Sequence, residues 1–298
     1  MPTSIIHQSS NAENVASFRA WGSTFSNMLV SSGLTKTNDS NQINWSTVNL
    51  PTPNTIIGFE IFRFNDSLQS VTPIYIKIEY GAKSIYAPLI KILVGSGTNG
   101  SGGLIGLDSS FSITLTTATT YDTIEKPSWA AYDGSGLVIV HCANHLNTLG
   151  RGLFVIDRLR DLNGVPNSHG FSVFYKTGFD QIFTQRIHNR SDNTVNSTVA
   201  SSLLPFQLEA SLYSYGGSSF RQDTGEIITS PYYTFVPNFG LYVSKMLLCV
   251  NGADVNGMSE ISILHLNKPR IYKALGSSQG YCDSASQKDA SVLTWIGD

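Results

Sequence analysis

Four sets of residues have the types and spacing that could do chemistry. The first is Gly95, Gly97 and Gly100, which spell G-x-G-x-x-G directly after the apolar run LIKILV at 89–94. A dinucleotide fingerprint has this order, but its glycines must turn the chain into a helix whose N-terminal amides face the pyrophosphate. Here TNGSGGLIGLDSS follows, with further Gly and Ser and no apolar stripe at helical spacing. Asp122 stands near the distance of a ribose-binding acid, a spacing that chance readily supplies. A P-loop is excluded because no Gly-Lys-Ser/Thr follows. The segment therefore reads as a mobile strand-to-strand connection whose glycines permit turning or close subunit approach, and no cofactor is expected.

The second set is His141, Cys142 and His145 in HCANHL. Zinc favours these types, and His at i and i+4 would meet on a helix face. GLVIVHC instead reads as a strand running into a turn, and no carboxylate or distant Cys pair completes a shell. Ordinary strand-end histidines are expected, with no metal. The third set is the carboxylates Glu60, Glu79, Asp157 and Asp161, nominees for the acid pair of a polysaccharide-cleaving site. Nothing in their spacing distinguishes them, and Glu60 and Glu79 read as solvent-side strand residues. Serines are too numerous to inform, and no G-x-S-x-G elbow occurs. No catalytic residue is assigned. The fourth set is Tyr213, Tyr215, Tyr232 and Tyr233. They suit either a sugar-stacking or protein-contact surface or cross-strand pairs that stabilise a sheet.

The elements that must position these residues are mostly strands. One helix is signalled at 11–32, where Val15, Phe18, Trp21, Phe25, Met28 and Leu29 recur at steps of three and four. Ser10 and Glu13 suit a capping box, and Gly33 suits a stop. The stripe must pack on a sheet or on a neighbouring subunit, which makes Phe18, Trp21 and Phe25 candidate contact residues. The period then becomes two. FEIFRF (59–64), IYIKIEY (74–80) and LIKILV (89–94) suggest a meander, with Ile74, Ile76, Ile78 and Tyr80 on one face.

Further strand candidates are 111–117, 136–142, 152–159, 170–176, 206–215, 232–237, 246–250 and 260–266, with Gly, Asn or Pro in nearly every gap. The Asn-Gly in DLNGVPNSHG marks a hairpin, while 189–202 reads as an exposed polar loop. Helices do not alternate with the strands, which argues against a parallel α/β sheet. The fold class expected is mainly β, an antiparallel sandwich-like architecture with an N-terminal amphipathic helix.

Composition narrows the function classes. Charged residues are 13% of the 298, against about 25% in an average soluble domain. The polarity is carried by Ser, Thr, Asn and Gly, which suits sheets, turns and packed assemblies. Aromatics at 11% exclude a disordered chain. A net charge of −2 with no basic cluster excludes the concentrated positive face that duplex binding needs, so no nucleic-acid partner is expected. No apolar run approaches a membrane span, and the start MPTSIIHQSS has neither a basic region nor a long apolar core, so no signal peptide is expected. Cys142, Cys249 and Cys282 are widely spaced and read as buried thiols.

Three stretches taken together carry a resemblance: FRAWGSTFSNMLVSSGLTKTNDSNQINWSTVNLP, GFEIFRFNDSLQSVTPIYIKIEYG and LIKILVGSGTNGSGG. They resemble virion structural proteins of tailed bacteriophages, encoded among tail and baseplate genes. GLFVIDRLRDLNGVPNSHGFSVFY is similar to the strand, polar turn and strand segment of those proteins, and the likeness fades after about residue 180. The resemblance implies a non-enzymatic component made in the bacterial cytoplasm and localised to the virion, with no catalytic residues to carry over. It implies other tail or baseplate proteins as partners, and a homotrimer or homohexamer. Residues 1–105 would form the virion-anchoring helix and meander. Residues 106–298 would form an outer or interface β unit, the two being separate or one continuous domain. A fibre adaptor leads this reading; a host-surface receptor-binding protein, a head-decoration or neck protein, and a polysaccharide depolymerase are the competitors.

Overall fold

The computed structural model describes residues 3–8, 13–84, 87–106, 112–115, 126–142, 151–176, 184–189, 195–196, 229–236, 240–251, 260–274 and 290–298. These form one α-helix, a single 3-10 turn at Ser67–Ser70 and three main antiparallel sheets, so the fold is mainly β and sandwich-like, as the alternating patterns require. The central sheet has the spatial order Thr3–Gln8, Lys126–Tyr132, Gly136–Cys142, Arg151–Arg160, Pro166–Lys176, Thr184–Asn189 and Val195–Asn196. An N-terminal sheet orders Thr35–Lys36, Thr55–Arg63, Tyr75–Ala82, Pro88–Gly95 and Ile113–Thr114. Its three long strands are the expected meander. A C-terminal sheet orders Thr229–Val236, Gly240–Asn251, Ala290–Gly297, Lys268–Ala274 and Glu260–His265.

The central sheet is buried on both faces. Leu137, Ile139, Phe154 and Ile156 join a core with Phe18, Phe25, Ile76 and Ile92 from the helix and the N-terminal sheet. The alternate residues Val138, Val140, Leu153 and Val155 join a second core with Met246, Leu248, Leu293 and Trp295 of the C-terminal sheet. Antiparallel sheets commonly leave one face to water and then alternate apolar with polar residues. The unbroken runs LVIV and LFVI are what burial on both sides demands. Each such side chain contributes about 1.5–3 kcal/mol on full burial. The first core includes Ile113, Leu115 and Ala130, so its packing continues across residue 105.

The helix spans Val15–Ser31, shorter at its start than the periodicity suggests. Its cap is Asn14, whose Oδ1 accepts from Ser17 N–H at 2.9 Å, while Ser17 Oγ lies 3.3 Å from Asn14 N. This capping box replaces the one expected from Ser10 and Glu13: Glu13 precedes the helix and Ser10 lies outside the described residues. Asn is as good a cap as Ser, so the later of two acceptable caps wins. Gly33, with φ +110°, ends the helix as expected.

Candidate functional site

The helix stripe packs on the chain's own sheets. Phe18, Trp21 and Phe25 are 0, 2 and 0% exposed, so they lie inside the molecule. Trp21 and Phe25 meet Tyr80 of the N-terminal sheet edge-on at 6.2 and 6.3 Å between centroids, and His141 of the central sheet at 6.0 and 5.6 Å. Trp45 closes the group, 4.9 Å from Tyr80. Its ring lies so close to Gly22 that a Cβ there would fall 2.0 Å from it. The glycine lets an aromatic ring rest on helix backbone. Burial pushes the His141 imidazole down to about 4, so it is neutral at physiological pH.

Glu60 is fully buried, which corrects its reading as a solvent-side residue. It lies on the strand Thr55–Arg63 facing the helix. Its Oε1 accepts from Ser26 Oγ at 2.7 Å and lies 2.5 Å from Lys36 Nζ, and its Oε2 accepts from the Tyr80 hydroxyl at 2.6 Å. Burial, then the Glu60 charge and its hydrogen bond, raise the Tyr80 phenol well above its ordinary value. A buried carboxylate is tolerated only where its lone pairs are filled in this way. Glu79, half-buried on the other face, pairs with Lys77 at 3.0 Å and Lys91 at 3.4 Å.

A second polar cluster lies between the central and C-terminal sheets. Asp157 accepts from Arg160 Nε at 2.9 Å, Ser244 Oγ at 2.8 Å and Lys245 N–H at 3.0 Å. Lys245 Nζ reaches Asp133 at 2.8 Å and Asp298 at 3.2 Å, and Arg270 reaches Asp298 at 2.6 Å. The Tyr272 hydroxyl donates to the Lys245 carbonyl at 2.7 Å. Residues 157 and 160 would point to opposite faces of a regular strand. The irregularity in pairing between Arg158 and Arg160 turns Arg160 onto the Asp157 side. Burial pushes the Asp157 carboxyl up against the pull of Arg160. Burial acts the same way on Asp133, but Arg160 and Lys245 together hold that carboxyl below its ordinary value. Three cations (Arg160, Lys245, Arg270) thus balance three carboxylates (Asp133, Asp157, Asp298) in a saturated cluster.

The glycine-rich loop joins Gly97–Thr98 to Leu104–Ile105 as a hairpin. No helix follows in the described residues up to Gly106, and the loop is a strand-to-strand connection as expected. Asn99 Oδ1 accepts from the N–H groups of Ser101 and Gly103, both at 2.9 Å. Burial pushes the Asp39 carboxyl up, but it accepts from the Thr37 and Thr98 hydroxyls and from Gly102 N–H, and these bonds hold it below its ordinary value. Gly102 has φ +97° and would place a Cβ 2.1 Å from the Phe59 ring. The Ser101, Gly102 and Gly103 amides are therefore turned to Asn99 within the loop and to Asp39 beside it.

The remaining candidates are scattered. Asp161 accepts from Asn163 N–H and Val165 N–H at 3.0 and 2.9 Å and shapes the expected Asn-Gly hairpin. Tyr232 and Tyr233 lie on the strand Thr229–Val236, with Tyr233 half-buried. Tyr213, Tyr215, His145, Asp122 and Cys282 lie outside the described residues, as does 206–215. Sequence reasoning missed Asp133, Lys245, Arg270 and Asp298. The available signal was charge inside apolar runs, above all Lys245 in LYVSKMLLCV. It also missed the strands Thr3–Gln8, Lys126–Tyr132, Thr184–Asn189, Lys268–Ala274 and Ala290–Gly297.

Among the described residues no group of His, Cys, Asp and Glu is disposed to hold a metal, and no helix is long and apolar enough to cross a membrane. A scan against protein-family models gives no match, and neither does a search of curated proteins.

Proposed function

We propose that the chain is a non-enzymatic structural component of a tailed-bacteriophage virion, a tail or baseplate protein of the fibre-adaptor kind that assembles as a symmetric oligomer. One observation carries the structural part of this reading. Among the described residues the charged groups buried most deeply, Glu60, Asp157, Arg158 and Arg160, tie the helix and the layers to one another. Their hydrogen-bonding capacity is spent on docking, as suits a structural part, whereas a reacting group must be free to meet substrate. The virion setting rests on the sequence resemblance over the first 180 residues or so.

The test is to probe purified particles of the phage that encodes the chain with antibody against the isolated protein, and to image them. Labelling at a fixed axial position is expected. Absence of the chain from purified particles overturns the reading. Release of reducing sugar from host polysaccharide by the purified chain overturns the non-enzymatic part.

A further inference from the structure

Among the described residues the strand Glu260–His265 forms an edge of the C-terminal sheet, and three features make it suited to pairing. Its hairpin partner is Lys268–Ala274, through a two-residue turn in which Leu266 and Asn267 both have positive φ, +52° and +59°. In such a turn the flanking pair His265–Lys268 is hydrogen-bonded, and hydrogen-bonded pairs alternate from there. His265, Ile263 and Ile261 therefore bond inward to the hairpin partner. The backbone N–H and C=O groups of Glu260, Ser262 and Leu264 point away from the sheet. Pro269, opposite Leu264, fits this phase because a non-hydrogen-bonded position needs no N–H there.

The second feature is the lack of protection. Edges are ordinarily blunted by Pro, Lys, bulges, shortness or cover. The opposite edge of the same sheet, Thr229–Val236, carries Pro231 and a pairing irregularity beside it. Both edges of the N-terminal sheet are only two residues long, Thr35–Lys36 and Ile113–Thr114. Among the described residues Glu260–His265 has none of these devices, and its single acid is already paired with Lys273 at 2.9 Å.

The third feature is apolar exposure. Leu264 is 76% exposed, and Leu162 and Val165 are 59% and 58% exposed. All three belong to one end of the molecule, because Gly164 of the 161–165 turn lies against the Leu266 side chain.

We propose that this edge is an interface between two copies of the chain, joined by antiparallel strand addition about a two-fold axis at Ser262. This register sets Ser262 against Ser262 of the partner subunit, Glu260 against the partner's Leu264, and Ile261 against the partner's Ile263. All outward N–H and C=O groups of Glu260, Ser262 and Leu264 then find partners. The two isoleucines, which pack on the second core, extend that core across the axis. No like charges meet, and one strand suffices because an isologous contact uses the same patch twice. The pairing goes beyond the virion reading and does not rest on it.

The test is sedimentation equilibrium of the full chain and two charge variants at the most exposed position. Wild type is expected to form dimers, or even-numbered oligomers built from them, below about 100 µM. Leu264→Glu faces the partner's Glu260 at two symmetric places and should weaken association at least about tenfold. Leu264→Lys meets the same glutamate with opposite charge and should associate at least as well as wild type. A monomer at every concentration, or an odd-numbered oligomer, overturns the interface. Equal weakening by both variants, or no effect of Leu264→Glu, overturns it as well. Circular dichroism checks that each variant is folded, which is expected at so exposed a side chain. A monomeric result leaves the virion localisation standing.

Discussion

His141 couples stability to pH in a way that can be worked out from its surroundings. Its ring is 2% exposed, edge-on to Trp21 and Phe25, with Ser128 Oγ 3.4 Å from Nδ1. Burial lowers its pKa from the ordinary 6.5 to about 4. The unfolded chain therefore binds a proton at higher pH than the folded chain. The neutral ring's contribution is fully present above pH 6.5 and is lost as pH falls toward the folded value. The loss is about 2 kcal/mol at pH 5 and approaches about 3 kcal/mol below both values. Urea unfolding of wild type and His141→Gln at pH 7.5, 6.0 and 5.0 measures it. The stability difference between the two proteins isolates His141, because the other titrating groups, His265 included, are common to both. Wild type should lose about 2 kcal/mol more than the variant between pH 7.5 and 5. A difference that stays flat to within about 0.5 kcal/mol refutes the buried neutral imidazole.

Glu60→Ala removes the acceptor shared by Ser26, Lys36 and Tyr80 and should cost about 1–3 kcal/mol in urea unfolding, because the Tyr80 hydroxyl is left buried without its partner. Gly102→Ala sets a methyl against the Phe59 ring at positive φ and should cost about 2–3 kcal/mol by thermal unfolding. Gly100→Ala, with φ +79° but open space, should cost only about 1 kcal/mol. Arg158→Met and Arg160→Met should loosen different interfaces in amide hydrogen exchange: the first around Asp66–Thr72, the second around Ser244–Met246. Loosening of both regions by each variant would show that the two clusters act as one.

Much of the fold was legible because period-two alternation is a local property. Ile74, Ile76, Ile78 and Tyr80 share a buried face, as their spacing requires. Glu60 was misread because its neighbours in FEIFRF give no hint of its partners. Ser26 and Tyr80 lie 34 and 20 residues away, and an acid among apolar residues looks like the wet face until its donors are placed. KPSWAAY and KPRIYKA were missed as strands because each carries Pro near its start, a residue that ordinarily demotes a strand. Pro269 sits where the missing N–H is tolerated, at a non-hydrogen-bonded position of its hairpin. The glycine motif could be set aside from sequence because its phosphate-binding meaning depends on a following helix, for which the sequence shows no apolar stripe, and the described residues to Gly106 form a hairpin.

The segment DRLR at 157–160 shows how a short charged stretch can hold three layers in register. Asp157 and Arg158 are consecutive, so strand geometry sends them to opposite faces of the central sheet. Asp157 meets Ser244 and Lys245 of the C-terminal sheet, while Arg158 makes a bidentate pair with Asp66 and donates to the Thr72 carbonyl at 2.8 Å. Apolar faces alone tolerate sliding, because one isoleucine contact resembles the next. A bidentate guanidinium–carboxylate pair does not, since a shift of one residue leaves a buried charge unpaired. Two adjacent residues thus fix the position of both outer layers against one strand. The irregularity after Arg158 supplies Arg160 to neutralise Asp157, without which that carboxylate would be too costly to bury. In a chain with few charged residues, these buried ones are spent on alignment.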